Sequence, residues 1–259
     1  MEAPRTATAA CGEDQSTDTG KVMKKIAVDY WNTVAAKSDA SARDAVLCGF
    51  TAERDFDASG REDASHLLLP FVKPTDVVLD IGCGLGRLLK WVAPACRRAI
   101  GTDISKVMLA KAKRRLAGVP NVDFEQIPLT LKLPVRSASV DFAYFYHVSE
   151  HMEREDAYRI LCEIKRCLRR NGSALVQFSL IDHADNRGEF VRWARAGDDE
   201  GVRSRFYTET EVNAMLEMAG LHPQIRLYIP GEIAVIVTPR DERLLGEMPL
   251  VRLNPAQPK

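Results

Sequence analysis

The chain has 259 residues, 46% of them apolar and 28% charged, the balance of an ordinary globular protein long enough for one domain with an elaboration. Its 36 Lys plus Arg match its 36 Asp plus Glu, which argues against a nucleic-acid binder that relies on phosphate neutralisation. The six cysteines form no Cys-x-x-Cys pair and no apolar run reaches bilayer length, so no zinc site, disulfide framework or membrane partner is expected. No secretory leader is read at the start, and the expected compartment is the cytoplasm.

Residues 1–19 lack any apolar period and read as a disordered tail. A single domain is expected over 20–240, opening with a helical cap over 20–60. Val22, Ile26, Tyr30, Trp31 and Val34 form its first helical stripe, and 38–58 is mixed, without a clear period. Ser59-x-x-Glu62 has the form of a capping box, with Leu67, Leu68 and Phe71 continuing that helix. Val77 to Ile81 is an apolar, β-branched run that suits a strand covered on both faces. It runs into Gly82-Cys83-Gly84-Leu85-Gly86, with a helix expected to open at Gly86 and to stop at Pro94.

Arg98 to Asp103 is the second strand, and Ser105 caps a helix that carries Met108, Ala112 and Leu116 inward. The basic run Lys111 to Arg115 falls late in that helix, where cations suit the dipole, and reads as a solvated face. Val122 to Ile127 and Val140 to His147 are the third and fourth strands. A long helix then shows Ala157, Ile160, Leu161, Ile164 and Leu168 on one face, with Asn171-Gly172 as its stop. Ala174 to Leu180 is the fifth strand. The stretch 181–205 is polar and irregular and reads as an insert or lid. Thr208-x-x-Glu211 is a second capping box, whose helix runs to Gly220. Two strands near 224–229 and 232–238, joined by Pro230-Gly231, must be antiparallel neighbours. Residues 241–259 read as a C-terminal tail. Strand–helix alternation ending in a hairpin implies an α/β fold, a doubly wound, mostly parallel seven-stranded sheet with one antiparallel strand. Ligands of such sheets bind at the carboxyl ends of the strands.

The glycine turn carries the chemistry. Glycines approach a ligand with no side chain in the way. Their positions, 82, 84 and 86, give Gly-x-Gly-x-Gly, whereas dinucleotide folds use Gly-x-Gly-x-x-Gly. Asp80, inside the strand, suits a ligand with a cationic amine better than one with a pyrophosphate. Asp103, twenty-one residues after Gly82, can take the two ribose hydroxyls of a nucleoside; its competing reading is a cap before Ser105. At Asp80-x-Gly82-Cys83-Gly84-x-Gly86 the chain resembles the class I S-adenosylmethionine-dependent methyltransferases, whose Rossmann-like seven-strand fold covers roughly residues 61–239. Leu133-Pro134, Leu168 to Gly172, Phe206-Tyr207-Thr208 and Ala219-Gly220 are similar to later segments of that family.

The resemblance implies S-adenosyl-L-methionine as methyl donor. It implies Asp80 at the methionine amine, Gly82, Cys83, Gly84 and Gly86 around the methionine, and Ile104 and Met108 against the adenine. Tyr30 and Trp31 would cover the cofactor, and Tyr146 would lie beside it. The acid that the family usually carries after the third strand is absent from Ile127 to Pro134. Backbone near Leu129 or the Thr130 hydroxyl would have to serve the adenine. Val148-Ser149-Glu150-His151-Met152 is similar to the segment that sets a histidine beside the transferring methyl. His151 is the first candidate for a general base and His147 the second; His183, in the insert, is a third, while His66 and His222 read as surface or packing residues.

Asp182, His183, Asp185 and Asn186, with Glu150, offer oxygen and imidazole groups of the kind that bind Mg²⁺; a polar turn with a helix cap is the favoured reading, and no metal ligand is assigned. Arg187, Arg192, Arg195, Arg203 and Arg205 could orient an anionic or hydroxylated acceptor, or sit on a solvated helix. The expected function is methyl transfer to a small-molecule acceptor, with oxygen of a sugar-containing or secondary-metabolite substrate preferred. C- or N-methylation, of ubiquinone/menaquinone or amino-sugar type, is the near alternative. A nicotinamide dehydrogenase and a non-catalytic cofactor-binding subunit are the distant ones. Oligomeric state is left open, a homodimer included.

Overall fold

In the computed structural model, residues 18–196, 204–241 and 251–252 are described. Three helices precede the sheet: α1 (Asp18–Lys37), α2 (Asp39–Val46) and α3 (Glu53–Asp63). Helix α1 bears out the first stripe as a helix, although the side chains of Val22 and Ile26, like residues 1–17 of the expected tail, lie outside the described set. The segment expected to be mixed, 38–58, holds α2 and most of α3. Ser38 caps α2 by accepting the Ser41 N–H at 2.9 Å. Ala42 and Phe56 are fully buried against Ala35, Leu85 and Met108. One inward residue per short helix is too sparse for a period to show. Ser59 is not a cap either: it lies inside α3, and its hydroxyl donates to the Phe56 carbonyl at 2.9 Å.

Strand β1 (Val77–Ile81) is buried along its whole length. Its side chains alternate, Val77, Leu79 and Ile81 toward one core layer and Val78 toward the other. After the glycine turn, α4 spans only Leu89–Val92. The expected helix start at Gly86 is three residues early because Gly86 has φ +71°, outside the helical region. Its carbonyl nevertheless accepts the Lys90 N–H at 3.1 Å and so begins the helical ladder. Strand β2 (Arg98–Asp103) and helix α5 (Lys106–Arg115) fall where the pattern put them, and Ser105 accepts the Met108 N–H at 3.1 Å as its cap. Strands β3 (Val122–Gln126) and β4 (Val140–Phe145) follow, then α6 (Arg154–Cys167), which buries Ala157, Ile160, Leu161 and Ile164.

Asn171-Gly172 does not stop α6. The helix ends at Cys167 and β5 (Leu168–Ser179) begins at once, its first residue paired with Val140 across an irregular register. Arg169 grips Asp141 of β4 at 2.6 Å, so a polar stretch becomes strand through a long-range contact. The insert expected to be irregular contains helix α7 (Ala184–Ala196), which buries no residue; positions 197–203 of the insert lie outside the described residues. Helix α8 (Glu209–Ala219) has the expected capping box at Thr208 and Glu211 and ends at Gly220, φ +65°. Strands β6 (His222–Ile229) and β7 (Glu232–Thr238) form the hairpin, and β8 (Val251–Arg252), within the segment read as a tail, adds to the edge. The rest of 242–259 lies outside the described residues.

The order is β3-β2-β1-β4-β5-β7-β6-β8, with β7 antiparallel to both neighbours and the other pairings parallel. This is the expected seven-stranded, doubly wound sheet with one antiparallel strand, extended by a two-residue eighth. One layer packs α6 and α8 against it and the other packs the helical turn after α3 (Ala64–Leu68), α4 and α5. The order reverses beside β1, between β2 and β4, and a crevice opens there at the carboxyl ends.

Candidate active site

The glycine turn is held from β2. Gly82 and Cys83 both donate to the Thr102 carbonyl, at 2.7 and 2.8 Å, and the Thr102 hydroxyl returns a bond to the Asp80 carbonyl at 2.8 Å. Gly82 has φ +78°, and a Cβ there would lie 2.4 Å from Val148 Cγ2; only glycine fits without displacing that side chain. Around this turn opens a cleft whose empty space, open solvent included, is about 1080 Å³.

Of the residues expected at the cofactor, Gly82, Gly84, Asp103, Ile104 and Met108 line this cleft. Asp103 is buried, with Oδ2 accepting the Gly84 N–H at 2.9 Å and Oδ1 the Ser105 N–H at 2.7 Å. Burial pushes its pKa up to about 6 against the pull of those backbone donors. Asp80 sits beneath the turn, outside the lining, and Tyr144 donates its hydroxyl to Asp80 Oδ2 at 2.9 Å. Burial lifts the Asp80 carboxyl to about 8, opposed by the Tyr144 bond and reinforced by the Asp103 charge. Such a carboxyl stays neutral near pH 7 unless a cation comes beside it.

Other expected residues lie elsewhere. Cys83 is buried, its thiol raised well above the ordinary range by burial, which fits its reading as a small apolar residue. Gly86 faces Leu116 and Ala112 of the adjoining helical segment. Leu129 is 43% exposed and does not line the cleft; Ile127 and Leu131 of the same stretch do. Leu131 takes φ +61°, and this bend turns its neighbours outward. Tyr146 is buried with its ring 4.3 Å edge-on to His147, also outside the lining. Tyr30 stacks edge-on against Trp31 at 5.4 Å, and it is Trp31 that lines the cleft. Asn32 fixes that helix in place: its Oδ1 accepts the Ser105 hydroxyl at 2.8 Å, joining α1 to the start of α5.

Both candidate histidines line the cleft. His151 lies 5.1 Å edge-on from Trp31, and its buried Nδ1 has no partner among the described residues. Burial lowers its pKa, with the charges of His147 and Arg205 pushing the same way and Glu150 opposing. His147 has φ +55°, rare for a side chain of its size. Its Nδ1 is 3.2 Å from Glu150 Oε1 and 3.8 Å from Glu232 Oε1. Burial alone would lower its pKa; the Glu150 hydrogen bond and the Glu232 carboxylate outweigh that, and the net shift is upward.

His183, half-exposed and 3.7 Å from Asp185, lies outside the cleft lining, as do the other insert residues named for Mg²⁺. Asn186 Nδ2 instead donates to the Leu180 and Gly231 carbonyls, each at 2.8 Å, tying α7 to the hairpin. Among the described residues no group of three or more His, Cys, Asp or Glu side chains is placed to hold a metal ion.

The cleft also uses residues that the motifs did not reveal: Val46, Phe145, Glu153, Ile160 and Arg205. Arg205, expected only as one of five insert arginines, is 8% exposed and donates to Glu153 Oε1, while its backbone N–H donates to the Glu150 carbonyl at 2.8 Å. Its position immediately before Phe206-Tyr207-Thr208 was the available signal. Ile160 was legible as a core residue of α6, and the period alone does not say that its end of the helix faces a ligand.

A model for a methyltransferase domain matches residues 79–176, the span from β1 through the middle of β5. With the sheet order and the glycine turn, the match makes this span similar to a class I S-adenosylmethionine-dependent methyltransferase domain, a family whose methyl donor is S-adenosylmethionine. The chain is 28% identical over 160 residues to a probable methyltransferase, ltbC, of Aspergillus luteorubrus, covering 54% of this chain and 55% of the relative. It is 25% identical over 177 residues to phosphoethanolamine N-methyltransferase 1 of Caenorhabditis elegans, covering 68% and 36% respectively. The chain thus spans about half or less of these curated relatives. Among solved structures it is similar in fold to a SAM-dependent methyltransferase from Leishmania major, with TM-score 0.61, 17% identity and 83% of each chain covered. No helix among the described residues is long and apolar enough to cross a membrane.

Proposed function

We propose that the protein transfers a methyl group from S-adenosylmethionine to a hydroxyl of a small acceptor, of the sugar-containing or secondary-metabolite kind, and that His151 accepts the proton. The residues present suit the donor. Asp103 offers a buried carboxylate at the cleft wall for the ribose hydroxyls. Ile104 and Met108 offer apolar faces for the adenine. Gly82 and Gly84 leave the backbone bare where the methionine part would run. The neutral, buried Asp80 is a carboxyl that a nearby ammonium would recharge, directly or through water. The donor supplies a sulfonium methyl that is electrophilic without further activation.

The protein's task is then to hold an acceptor oxygen in line at about 3 Å and to take its proton. The observation that carries the reading is His151 itself: a cleft-lining imidazole whose pKa is lowered, and which is therefore unprotonated at neutral pH. With Nδ1 buried, Nε2 is the nitrogen left to reach the acceptor. Trp31, edge-on to the ring, restricts its orientation and shields that side from water. Arg205, fixed by Glu153, would orient the acceptor.

A second reading, transfer to an amine, is favoured by two carboxylates in the lining, Glu153 and Asp156, and by the N-methyltransferase named among the relatives. Labelled S-adenosylmethionine and a panel of sugar, phenol and amine acceptors separate the two. His151→Ala should lower turnover of a hydroxyl acceptor by roughly 10²–10⁴-fold and leave S-adenosylhomocysteine affinity near that of the wild type. Turnover within threefold of wild type would remove His151 as the base, and methylation of amines alone would replace the hydroxyl reading.

A further inference from the structure

Four buried side-chain atoms with incomplete hydrogen bonding belong to this region: Glu150 Oε2, His151 Nδ1, Gln177 Nε2 and Glu232 Oε2, the Gln177 amide acting on the Glu232 carboxylate. They come from the turn after β4, from β5 and from the first residue of β7, and they surround His147. The His147 N–H donates to Gln177 Oε1 at 2.9 Å, which pins the left-handed backbone from the neighbouring strand. Ser149 donates to the Gln177 carbonyl at 2.9 Å and fixes the turn that carries Glu150. Glu232 is placed by pairing with Ser179 of β5 and Ile229 of β6, directly after the Pro230-Gly231 turn. Two carboxylates thus reach one imidazole from positions 82 residues apart in the chain.

A residue with φ +55° is strained unless it is glycine, and buried carboxylates without full hydrogen bonding are costly. Both costs fall on a ring that lines the cleft beside His151.

We propose that Glu150 and Glu232 are positioning residues for methyl transfer: together they clamp the His147 imidazole at the cleft edge, and through it they govern the proton-accepting state of His151. This rests on the reading of His151 as the base. The groups that face His147 are Glu150, Glu232, Gln177, the ring of Tyr146, Arg87 from the glycine turn and His151. Asp63 of α3 acts on Glu232 in turn, and raises it. The carboxylates favour the imidazolium form of His147, and that charge works against a proton on His151. Glu150 acts on both rings, and Arg205 and Glu189 also act on His151, whereas Glu232 reaches the His147 ring at 3.8 Å and makes no ion pair with His151 among the described residues. Glu232 is therefore the residue that isolates the relay.

The test is Glu232→Gln in the full chain, with histidine ring protons followed by NMR against pH and assigned with His147→Asn and His151→Asn. The His147 midpoint should fall by roughly one pH unit or more, the effect usual for an opposite charge within about 4–6 Å. With that charge weakened, the acid limb of kcat/KM should move to higher pH. S-adenosylhomocysteine affinity should stay within twofold of wild type, and Glu232→Asp should restore part of both shifts. An unchanged His147 midpoint, or an acid limb that stays in place while the midpoint falls, would overturn the proposal. Should Glu232→Gln lose its circular dichroism signal, the wild-type titration decides: His147 must titrate above His151, and the reverse order overturns the relay. Retained activity in His151→Ala alongside a lowered His147 midpoint would instead sink the base assignment and leave the clamp standing.

Discussion

The two ends of the cleft are built differently. The proposed donor end is local: Asp80, the glycine turn, Asp103, Ile104 and Met108 fall within 29 consecutive residues, and their geometry is set by backbone hydrogen bonds that the Thr102 carbonyl accepts and that Gly84 and Ser105 donate. The proposed acceptor end is assembled from far apart. Trp31 comes from α1, His147 and His151 from the turn after β4, Arg205 from the stretch before α8, and Glu232 from β7. A site made largely of backbone groups and two nearby carboxylates tolerates drift in its surroundings. A site made of side chains from four distant places changes with each of them, which is how one fold can keep its donor and alter its acceptor.

The contrast is broken most severely at Asp103. Asp103→Ala should raise the S-adenosylhomocysteine dissociation constant by about 100-fold or more. That is the loss of two hydrogen bonds to a charged group at about 1.5–3 kcal/mol each, read by titration calorimetry. The Gly84 and Ser105 N–H groups would also lose their acceptor, so Asp103→Asn, which keeps an oxygen, should lie between the two. Equal affinity in the wild type and the alanine variant would mean that the donor end does not hold a ribose through this residue.

The same locality explains what could be read in advance. Strands β1 and β2, the Ser105 cap and the Thr208–Glu211 box are legible because their causes lie within a few residues. The clamp on His147 is not, since Glu232 reads only as the first residue of a hairpin strand. Nor is the start of β5 at Leu168: Arg169 and Arg170 follow, and only the ion pair to Asp141 and pairing with Val140 make strand of them. Helix α7 escapes a pattern search because it buries no residue, so no apolar stripe marks it. Helices α2 and α3 escape for a similar reason, each with little more than one buried apolar contact.

A smaller effect separates the ends by pH. The Asp80 carboxyl is raised in the folded state to about 8. Folding therefore favours its protonated form. Its contribution to stability is fully present below the ordinary value of 3.8 and is lost as pH rises through about 8. Asp103, raised to about 6, acts in the same direction over a narrower window. The melting temperature of the unliganded protein should thus decline between pH 5 and pH 8, and Asp80→Asn should flatten that decline. S-adenosylhomocysteine, whose ammonium would favour the ionised carboxyl, should be taken up with release of a proton near pH 7, seen as a buffer-dependent enthalpy. An Asp80→Asn protein with the wild-type pH slope would show that another group controls it.

The smallest expected effect tests where the adenine end stops. With the family's acid absent, the adenine is left to backbone groups near Leu129 or the Thr130 hydroxyl; the Leu129 side chain is exposed while Ile127 and Leu131, two residues to either side, turn inward. The alternation has a physical cause: the positive φ at Leu131 and the Leu131 N–H bond to the Pro128 carbonyl at 2.8 Å close a tight turn, and residues at its tip point to solvent. Leu129→Ala should leave donor affinity within twofold of wild type, because it removes little buried area. Leu131→Ala empties part of the cleft wall and should weaken both stability and donor binding, by about 2–5 kcal/mol in stability for a buried leucine. If Leu129→Ala weakens binding as much as Leu131→Ala does, this turn must rearrange around the adenine, and the donor end would share the long-range adaptability of the acceptor end.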